Sequence, residues 1–250
     1  MSEPAFKDHF SSRAAAYAAH RPTYPAALVD HLAGLAPARD RALDCGCGTG
    51  QLSVLLAERF AEVVATDASA AQVANATPHP GVRYRVAPAE QSGLADGSVD
   101  LVTVAQAAHW FDLDAFYAEA RRVARPGAIL ALVTYGIMQV EGGAGPVVDH
   151  FYHAVAGPHW PPERRHVETG YRSLPFPVPD LPTPDLAITV SWALADLIGY
   201  VETWSAVRAL EAASGRAPVE RFHAALAEGW GDPAARRNVR WPLALRLGRL

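Results

Sequence analysis

The stretch Ala42-Leu43-Asp44-Cys45-Gly46-Cys47-Gly48-Thr49-Gly50-Gln51-Leu52 joins a short apolar run to a helix-like run through a turn with glycine at every second position. Glycine has no Cβ, so the backbone can bend tightly there and bring its N–H groups against a ligand. The helix that follows would direct its positive N-terminal end towards the same ligand. This stretch therefore predicts a strand–turn–helix unit that holds a nucleotide-like molecule.

The spacing of the glycines does not match the common phosphate-binding loops. The dinucleotide fingerprint has its third glycine three residues after the second, where this chain has Gln51. No Gly-Lys-Ser/Thr follows either, as a phosphate loop would require. Asp44 would be poorly placed beside a phosphate and suits a ligand with a cationic amino group. A nicotinamide dehydrogenase is the alternative enzyme class, and the spacing of the glycines disfavours it.

The next predicted strand ends in a carboxylate. Val63-Val64-Ala65-Thr66-Asp67 is typical of a buried parallel strand, and Asp67 lies about 20 residues beyond the first glycine, the usual spacing of the ribose-binding acid. In nucleoside-binding doubly wound folds, a carboxylate at that position accepts hydrogen bonds from the two ribose hydroxyls. We therefore expect Asp67 to bind the ribose of the ligand.

Composition narrows the class of protein. The chain has 250 residues, half of them hydrophobic, and a formal net charge of −4. This length suits one α/β domain with an insertion, and the charge gives no basic footprint for nucleic acid. No apolar run reaches the roughly 18 residues of a membrane span, and the polar N-terminus has no signal-peptide segment. We expect a cytoplasmic monomer or homodimer that binds neither nucleic acid nor membrane.

The two cysteines, Cys45 and Cys47, both lie in the glycine turn. No further cysteine exists to complete a metal-binding set. We interpret them as small residues tolerated near a ligand, and we predict neither a metal site nor a disulfide.

Apolar runs and helical periodicity alternate along the first half of the chain. The predicted strands are Ala42–Cys45, Val63–Asp67, Val82–Val86, Leu101–Ala105 and Ala128–Thr134. The predicted helices are Phe6–His20, a second opened by Pro25, Gln51–Phe60, one capped by Ser69 that continues to about Ala76, and Asp114–Ala124. This alternation predicts a parallel sheet covered on both faces, which is a doubly wound α/β fold.

The second half of the chain changes in character. From Pro146 to Pro184 it has nine prolines and little helical periodicity, which predicts a loop or a lid that cannot extend the sheet. A strand (Leu186–Val190) and two helical stretches (193–208 and 219–230) follow. Val239 to Leu247 alternates cleanly, which is the strongest strand signal in the chain, and Pro242 within it predicts a bulge or a late strand start.

These residues resemble a known family. Asp44-x-Gly46-x-Gly48-x-Gly50 is similar to the first motif of class I S-adenosylmethionine-dependent methyltransferases. The segments Phe10–Pro25, Ala105-Gln106-Ala107-Ala108-His109-Trp110-Phe111-Asp112 and Gly199–Ser205 resemble the type 11, trans-aconitate methyltransferase-like group. The resemblance covers most of the chain outside the proline-rich segment.

The resemblance implies a Rossmann-like sheet of seven strands, mostly parallel, with the last strand antiparallel and inserted beside strand five. It divides a single domain, 1–250, into N-terminal cover helices (1–36), a cofactor-binding core (37–135), a lid insertion between strands five and six (136–185) and the end of the sheet with late helices (186–250). The implied cofactor is S-adenosylmethionine. Its predicted contacts are Tyr17, Arg21, Asp44, Gly46, Gly48, Gly50, Asp67, Ala68, Ala89, Glu90 and Gln106.

Within this group, Arg21 would pair with the methionyl carboxylate, Tyr17 would cover the cofactor, and Asp44 would orient the turn or the methionyl amino group. Family members often carry an acidic residue where this chain has Pro88. Adenine recognition would then depend on the backbone N–H of Ala89 and on Glu90.

The predicted function is methylation of a small molecule, with a carboxylate oxygen as the favoured acceptor. His109 is the candidate catalytic residue, and its alternatives are acceptor binding, pocket lining and packing. A carboxylate carries no proton to remove, whereas a hydroxyl or amine would make a base useful. Methylation of another atom (N, C or S), or a cofactor-binding regulatory protein on the same scaffold, are the alternative functions. Basic residues of the insertion, namely Arg164, Arg165, His166 and Arg172, would suit an anionic acceptor.

Overall fold

The computed structural model describes residues 23–250, in which one eight-stranded sheet is flanked by helices. The strands are β1 (Arg41–Cys45), β2 (Glu62–Asp67), β3 (Val82–Val86), β4 (Val99–Ala105), β5 (Ala124–Tyr135), β6 (Gln139–Val140), β7 (Ala187–Trp192) and β8 (Arg237–Arg249). The helices are α1 (Ala26–Leu35), α2 (Gln51–Leu56), α3 (Ala70–Ala74), α4 (Leu113–Val123), α5 (Ala144–His150), α6 (Arg164–Glu168), α7 (Leu194–Glu202), α8 (Ser205–Ser214) and α9 (Ala217–Trp230). The predicted helix at Phe6–His20, Tyr17 and Arg21 lie outside the described residues.

The order of the strands confirms the predicted doubly wound topology. It is β3-β2-β1-β4-β5-β8-β6, and β7 pairs with β8. β1 to β5 are parallel, while β8 is antiparallel to β5, as expected for the last strand. The two-residue β6, which pairs with β8, was not predicted. No helix within residues 23–250 is long and apolar enough to cross a bilayer.

Each parallel strand contributes to two cores, one on each face of the sheet. On β5, Ile129 and Ala131 belong to one core while Leu130 and Leu132 belong to the other, and all four are fully buried. The first core holds α1, α2, α5 and the late helices α7 to α9, and the second holds α4. Burial on both faces explains why these strands are apolar at nearly every position.

The ends of several elements differ from the predictions by a few residues. Helix α2 ends at Leu56 instead of Phe60, and β5 is counted from Ala124, with an irregular register before Leu101 pairs with Ile129. Ser69 does cap α3, since its Oγ accepts a hydrogen bond from the backbone N–H of Gln72 at 3.3 Å. Such shifts are expected where helices fray and strands bulge.

The expectation of little helical structure between Pro146 and Pro184 is wrong. Helix α5 continues into a π-helical turn (Phe151–Val155), and a 3₁₀ turn (Gly157–His159) and α6 follow. Tyr152 packs in the first core and Tyr171 in the second. Tertiary burial of these aromatic side chains therefore stabilises short helical turns. Pro146 and Pro158 lie in the first turn of α5 and in the 3₁₀ turn, where a missing N–H is tolerated.

The expectation of a bulge or late start at Pro242 is also wrong. β8 begins at Arg237 and pairs in regular register with β7 through Pro242. The N–H of Leu243 donates to Leu186 O on the β7 side at 2.8 Å, so the nitrogen of Pro242 faces the opposite edge. There β5 pairs only from Leu243 onwards, and β6 pairs only with Val239 and Arg240. Proline is tolerated because its missing donor falls between two partner strands.

Candidate active site

The glycine turn between β1 and α2 has the backbone that its sequence predicts. Gly46, Gly48 and Gly50 have φ values of +64°, +56° and +85°, in the left-handed region that favours glycine. A Cβ on Gly50 would overlap the hydroxyl of Tyr84, and one on Gly46 would lie 2.6 Å from the Cβ of Ala107. A Cβ on Gly48 would meet only Gln72 Oε1, at 3.9 Å. The turn is thus closely packed at both ends and open in the middle.

Asp67 lies at the carboxyl end of β2 and holds the turn directly. Its Oδ2 accepts the backbone N–H of Gly48 at 2.9 Å, and its Oδ1 accepts that of Ser69 at 2.8 Å. An ionised carboxylate has about four acceptor positions, so two remain for the hydroxyls of a ribose. The neighbouring Ala68 is exposed beside it.

Asp44 lies beneath the turn and is buried. Its carboxylate accepts the hydroxyls of Ser53 at 2.6 Å and Thr103 at 2.8 Å, which link β1 to α2 and β4. Burial raises the pKa of Asp44 to about 6, although these hydrogen bonds favour the charged form. These hydrogen bonds fix the carboxylate beside the turn, and both predicted roles of Asp44 stay predictions. Burial also raises the pKa of both neighbouring thiols, Cys45 and Cys47, so neither is a reactive thiolate.

The residues predicted to contact adenine follow β3. Ala89 is buried, and Glu90 accepts the backbone N–H of Asp112 at 3.0 Å through Oε1. Glu90 thus joins this segment to the start of α4, where Asp112 caps the helix by accepting the N–H of Ala115. The other carboxylate oxygen of Glu90, Oε2, takes no part in this hydrogen bond.

Gln106 follows β4, but its side chain is tied to β5. Its Nε2 donates to Tyr135 O at 2.9 Å, and its Oε1 accepts the hydroxyl of Thr134 at 2.8 Å. Its φ of +60° is unusual for a residue other than glycine. The amide still has a second N–H on Nε2 and a second lone pair on Oε1, so the contact of Gln106 with the cofactor stays a prediction.

His109 lies in a 3₁₀ turn (Ala108–Trp110) directly after β4, close to the glycine turn through the contact of Ala107 with Gly46. Its Nδ1 is 2.9 Å from the hydroxyl of Tyr171 in the insertion. Burial, with Arg164 and His166 nearby, lowers the pKa of His109 to about 4. The imidazole is therefore neutral at physiological pH.

Arg164, at the start of α6, is the basic residue of the insertion whose surroundings best suit the binding of an anion. Its guanidinium lies 4.7 Å from the ring centroid of Trp160, and its Nε donates to the hydroxyl of Tyr152 at 2.9 Å. Among residues 23–250, no carboxylate forms an ion pair with it. Arg165 and Arg172, by contrast, are exposed.

Several residues of this site had no signal in the sequence. Ser53 and Thr103 hold Asp44, Tyr84 packs over Gly50, and Thr134 and Tyr171 approach the end of β4 from β5 and from the insertion. Only the fold brings them together, because each lies in an unremarkable stretch of sequence. The fold and the site together define a nucleoside-binding doubly wound domain whose ligand lies at the carboxyl ends of β1, β2 and β4.

Comparison with known proteins identifies the family. The sequence profile described as "Methyltransferase domain" matches residues 43–132. A Dictyostelium discoideum protein, provisionally described as a methyltransferase, is 35% identical over 204 residues, which are 80% of this chain and 78% of that protein. A solved structure from Anaeromyxobacter dehalogenans, provisionally described as a type II methyltransferase, is 52% identical with a TM-score of 0.88 and covers 92% of this chain and 97% of that chain.

The chain therefore belongs to the class I S-adenosylmethionine-dependent methyltransferases, and S-adenosylmethionine is its cofactor. Membership of the trans-aconitate methyltransferase-like group stays a prediction. A more distant match is the malonyl-[acyl-carrier protein] O-methyltransferase of Dechloromonas aromatica, 36% identical over 119 residues, which are 44% of this chain and 41% of that enzyme.

The residues present fit this cofactor. The open side of Gly48 admits a ligand to the turn, and Asp67 retains acceptor positions at the place where a ribose would lie. When bound, S-adenosylmethionine supplies a methyl group on a sulfonium sulfur, which leaves as a neutral thioether. The contribution of the protein is to align the acceptor with that methyl group, which can supply roughly 7–11 kcal/mol of the barrier in well-oriented reactions.

Proposed function

We propose that this enzyme methylates a small molecule at a carboxylate oxygen. The observation that carries the proposal is a neutral imidazole, His109, after β4 on a turn that packs against α6, whose first residue is the positively charged Arg164. Because of this packing, the charge of Arg164 acts on the His109 imidazole, while its guanidinium lies against Trp160 and Tyr152.

A low pKa makes His109 a weak base for an acceptor whose proton must be removed. A carboxylate needs no base, because its oxygen already carries the electron pair that forms the new C–O bond. It does need a cation to bind it, and a guanidinium can do so with two parallel hydrogen bonds. The partial likeness to an enzyme named as an O-methyltransferase supports the same acceptor chemistry.

The test is methyl transfer from labelled S-adenosylmethionine to a panel of mono-, di- and tricarboxylates, each beside its primary amide. We expect label in the carboxylates alone, released as methanol by mild alkali because the product is an ester. Label that resists alkali, or that appears in the amides, would show that another atom accepts the methyl group.

Arg164 gives a sharper test with a matched control. Arg164→Gln removes the charge, and loss of a charge-assisted hydrogen bond of about 1.5–3 kcal/mol should raise the KM for the acceptor roughly tenfold or more. Arg165→Gln removes the neighbouring, exposed charge and should change KM less than twofold. Equal effects of the two variants on KM would show that Arg164 attracts the acceptor only through its charge and does not bind it directly.

The pH–rate profile separates acceptor binding from base catalysis at His109. We expect His109→Ala to lower turnover through acceptor binding, and the profiles of both forms to be parallel between pH 5.5 and 8. A titration near the histidine reference pKa of about 6.5, present in the native enzyme and lost in the variant, would favour the general-base interpretation and a hydroxyl or amine acceptor.

A further inference from the structure

Two non-glycine residues within 23–250 have a left-handed backbone. They are Gln106, with φ +60°, and Tyr171, with φ +62°. The side chain of Gln106 accepts the hydroxyl of Thr134, and the hydroxyl of Tyr171 contacts Nδ1 of His109. Such backbones persist only where the surroundings over-determine them, and they cluster at functional sites.

Tyr171 is fixed from several directions. Its backbone N–H donates to His166 O at 2.8 Å, and its carbonyl accepts Arg246 Nη1 at 3.3 Å. Its side chain is completely buried in the second core. The hydroxyl therefore has a fixed position, 2.9 Å from Nδ1 of His109.

The direction of the hydrogen bonds around Gln106 follows from a backbone carbonyl group. A backbone carbonyl can only accept, so the contact with Tyr135 O identifies the Gln106 nitrogen and turns Oε1 towards Thr134. Thr134 then donates its proton to Gln106. The hydroxyl of Tyr171 has its hydrogen-bond contact in the described part of the chain with Nδ1 of His109, at 2.9 Å. If Nδ1 carried the proton, the buried tyrosine O–H would be left without this acceptor, and an unsatisfied buried donor is costly. The Tyr171 proton is therefore donated to Nδ1.

We propose that Tyr171 is a positioning residue that donates to Nδ1 of His109, holds the ring's own proton on Nε2 and so presents Nε2–H to the acceptor carboxylate. Nε2 has no hydrogen-bond partner in the described part of the chain, and His109 is only partly buried. The charged and titratable groups that act on this imidazole are Arg164 and His166, and both favour its neutral form. The carboxylate part of the inference rests on the proposed function, whereas the tautomer does not.

The tautomer can be measured on the full chain without any acceptor. Nitrogen-15 NMR of histidine-labelled protein, saturated with S-adenosylhomocysteine at pH 7.5, distinguishes Nδ1–H from Nε2–H in a neutral imidazole. His109→Gln identifies the signal among the ten histidines. We expect the Nε2–H form in the native protein and a mixture of both forms in Tyr171→Phe, which removes only the hydroxyl.

Tyr117→Phe is the matched control. Tyr117 is another buried tyrosine of the second core, and its hydroxyl donates to Pro175 O at 2.8 Å without touching His109. It should leave the His109 signal unchanged. An Nδ1–H form in the native protein, or the same spectrum in Tyr171→Phe as in the native protein, would overturn the assignment.

Acetate and acetamide then probe the Nε2–H. We expect acetate to shift this signal and acetamide to do so at least tenfold more weakly, and we expect Tyr171→Phe to raise the dissociation constant of acetate fivefold or more. Tyr117→Phe should change it less than twofold. An Nε2–H form that depends on Tyr171 but does not respond to acetate would keep the positioning role and overturn the carboxylate acceptor.

Discussion

At the scale of single residues, alanine substitutions of Gly48 and Gly50 distinguish the cost of a strained backbone from the cost of steric overlap. Both have left-handed φ values, but a Cβ on Gly50 would overlap Tyr84 whereas one on Gly48 would enter open space. We expect Gly48→Ala to cost about 1–2 kcal/mol for the left-handed alanine, and Gly50→Ala about 1–3 kcal/mol more for the overlap. Urea unfolding of the two variants gives the difference, and equal losses would contradict the role of Tyr84 as the packing partner of Gly50.

Asp67 allows a test of the cofactor site. Removing its charge-assisted hydrogen bonds to the ribose, each about 1.5–3 kcal/mol, should make Asp67→Ala bind S-adenosylhomocysteine roughly tenfold or more weakly. Asp232→Ala is the control, because Asp232 also accepts a backbone N–H, from Ala234 at 3.0 Å, but in an exposed turn after α9. Calorimetry should show native affinity for this control. Unchanged affinity in Asp67→Ala would show that Asp67 only holds the turn.

Asp44 predicts a dependence of stability on pH. Burial raises its pKa in the folded protein from 3.8 to about 6, so the folded state binds the proton more tightly than the unfolded state. Its contribution to the free energy of unfolding is fully present below pH 3.8 and is lost as the pH rises through 6. The full loss is about 3 kcal/mol at 1.36 kcal/mol per pKa unit.

The comparison is with Asp44→Asn, which is nearly isosteric and does not titrate. The free energy of unfolding of the native protein, minus that of the variant, should fall between pH 4 and pH 6.5 and stay level above it. Other carboxylates contribute equally to both proteins and cancel in this difference. A difference that is independent of pH would mean that Asp44 has an ordinary pKa.

At the scale of elements, β8 shows how one strand can serve two sets of partners. Its first half pairs with β6 and β7, and its second half pairs with β5. Pro242 lies where one set gives way to the other, so its missing N–H removes no ladder hydrogen bond. Ala244, two residues later, pairs with Thr134 of β5 in the interior of the sheet.

Pro242→Ala and Ala244→Pro should therefore differ strongly. We expect the first to change the free energy of unfolding by less than about 0.5 kcal/mol, as for a neutral substitution. The second leaves a buried carbonyl of β5 without its donor and should cost about 1–3 kcal/mol or more. Chemical denaturation measures both, and a Pro242→Ala variant as unstable as Ala244→Pro would show that the proline itself shapes the strand.

At the scale of the whole molecule, the insertion joins the two cores. Phe151 and Tyr152 are buried with the late helices, and Val167 and Tyr171 are buried with α4. The mobile cover over the site stays a prediction. Because these buried residues are fixed in the cores, we now expect the mobile part to be residues 157–165 and the predicted N-terminal cover, 6–25.

Hydrogen exchange tests this limit. We expect 151–156 and 167–174 to be protected without ligand, because their side chains are anchored in the cores. Protection of 157–165 and 6–25 should rise when S-adenosylhomocysteine and a carboxylate are added, since closure would exclude water from the methyl group. Full protection of both segments without ligand would mean that the cover is a fixed wall.

Local sequence was sufficient for the cofactor half of the protein. Alternating glycines can only be explained by a backbone that other residues avoid, and Asp67 follows an apolar strand at a fixed distance from them. The apolar runs of β1 to β5 likewise predict a parallel sheet, because burial on both faces leaves no polar alternation. These features depend on residues that are close together in the sequence, so the sequence alone predicts them.

The acceptor half depended on contacts between distant parts of the chain. Tyr171 meets His109 across 62 residues, and Asp44 finds one of its two hydroxyl partners 59 residues away. The helical turns of the insertion form because the two cores bury their aromatic side chains, and Pro242 is accepted because of which strands flank it. The sequence by itself determined the family through its motifs, and the cofactor turn and the parallel part of the sheet through backbone conformation and periodicity. The tertiary structure alone decided the partners of Asp44, Gln106 and His109, because burial and hydrogen bonding between remote segments exist only in the folded chain.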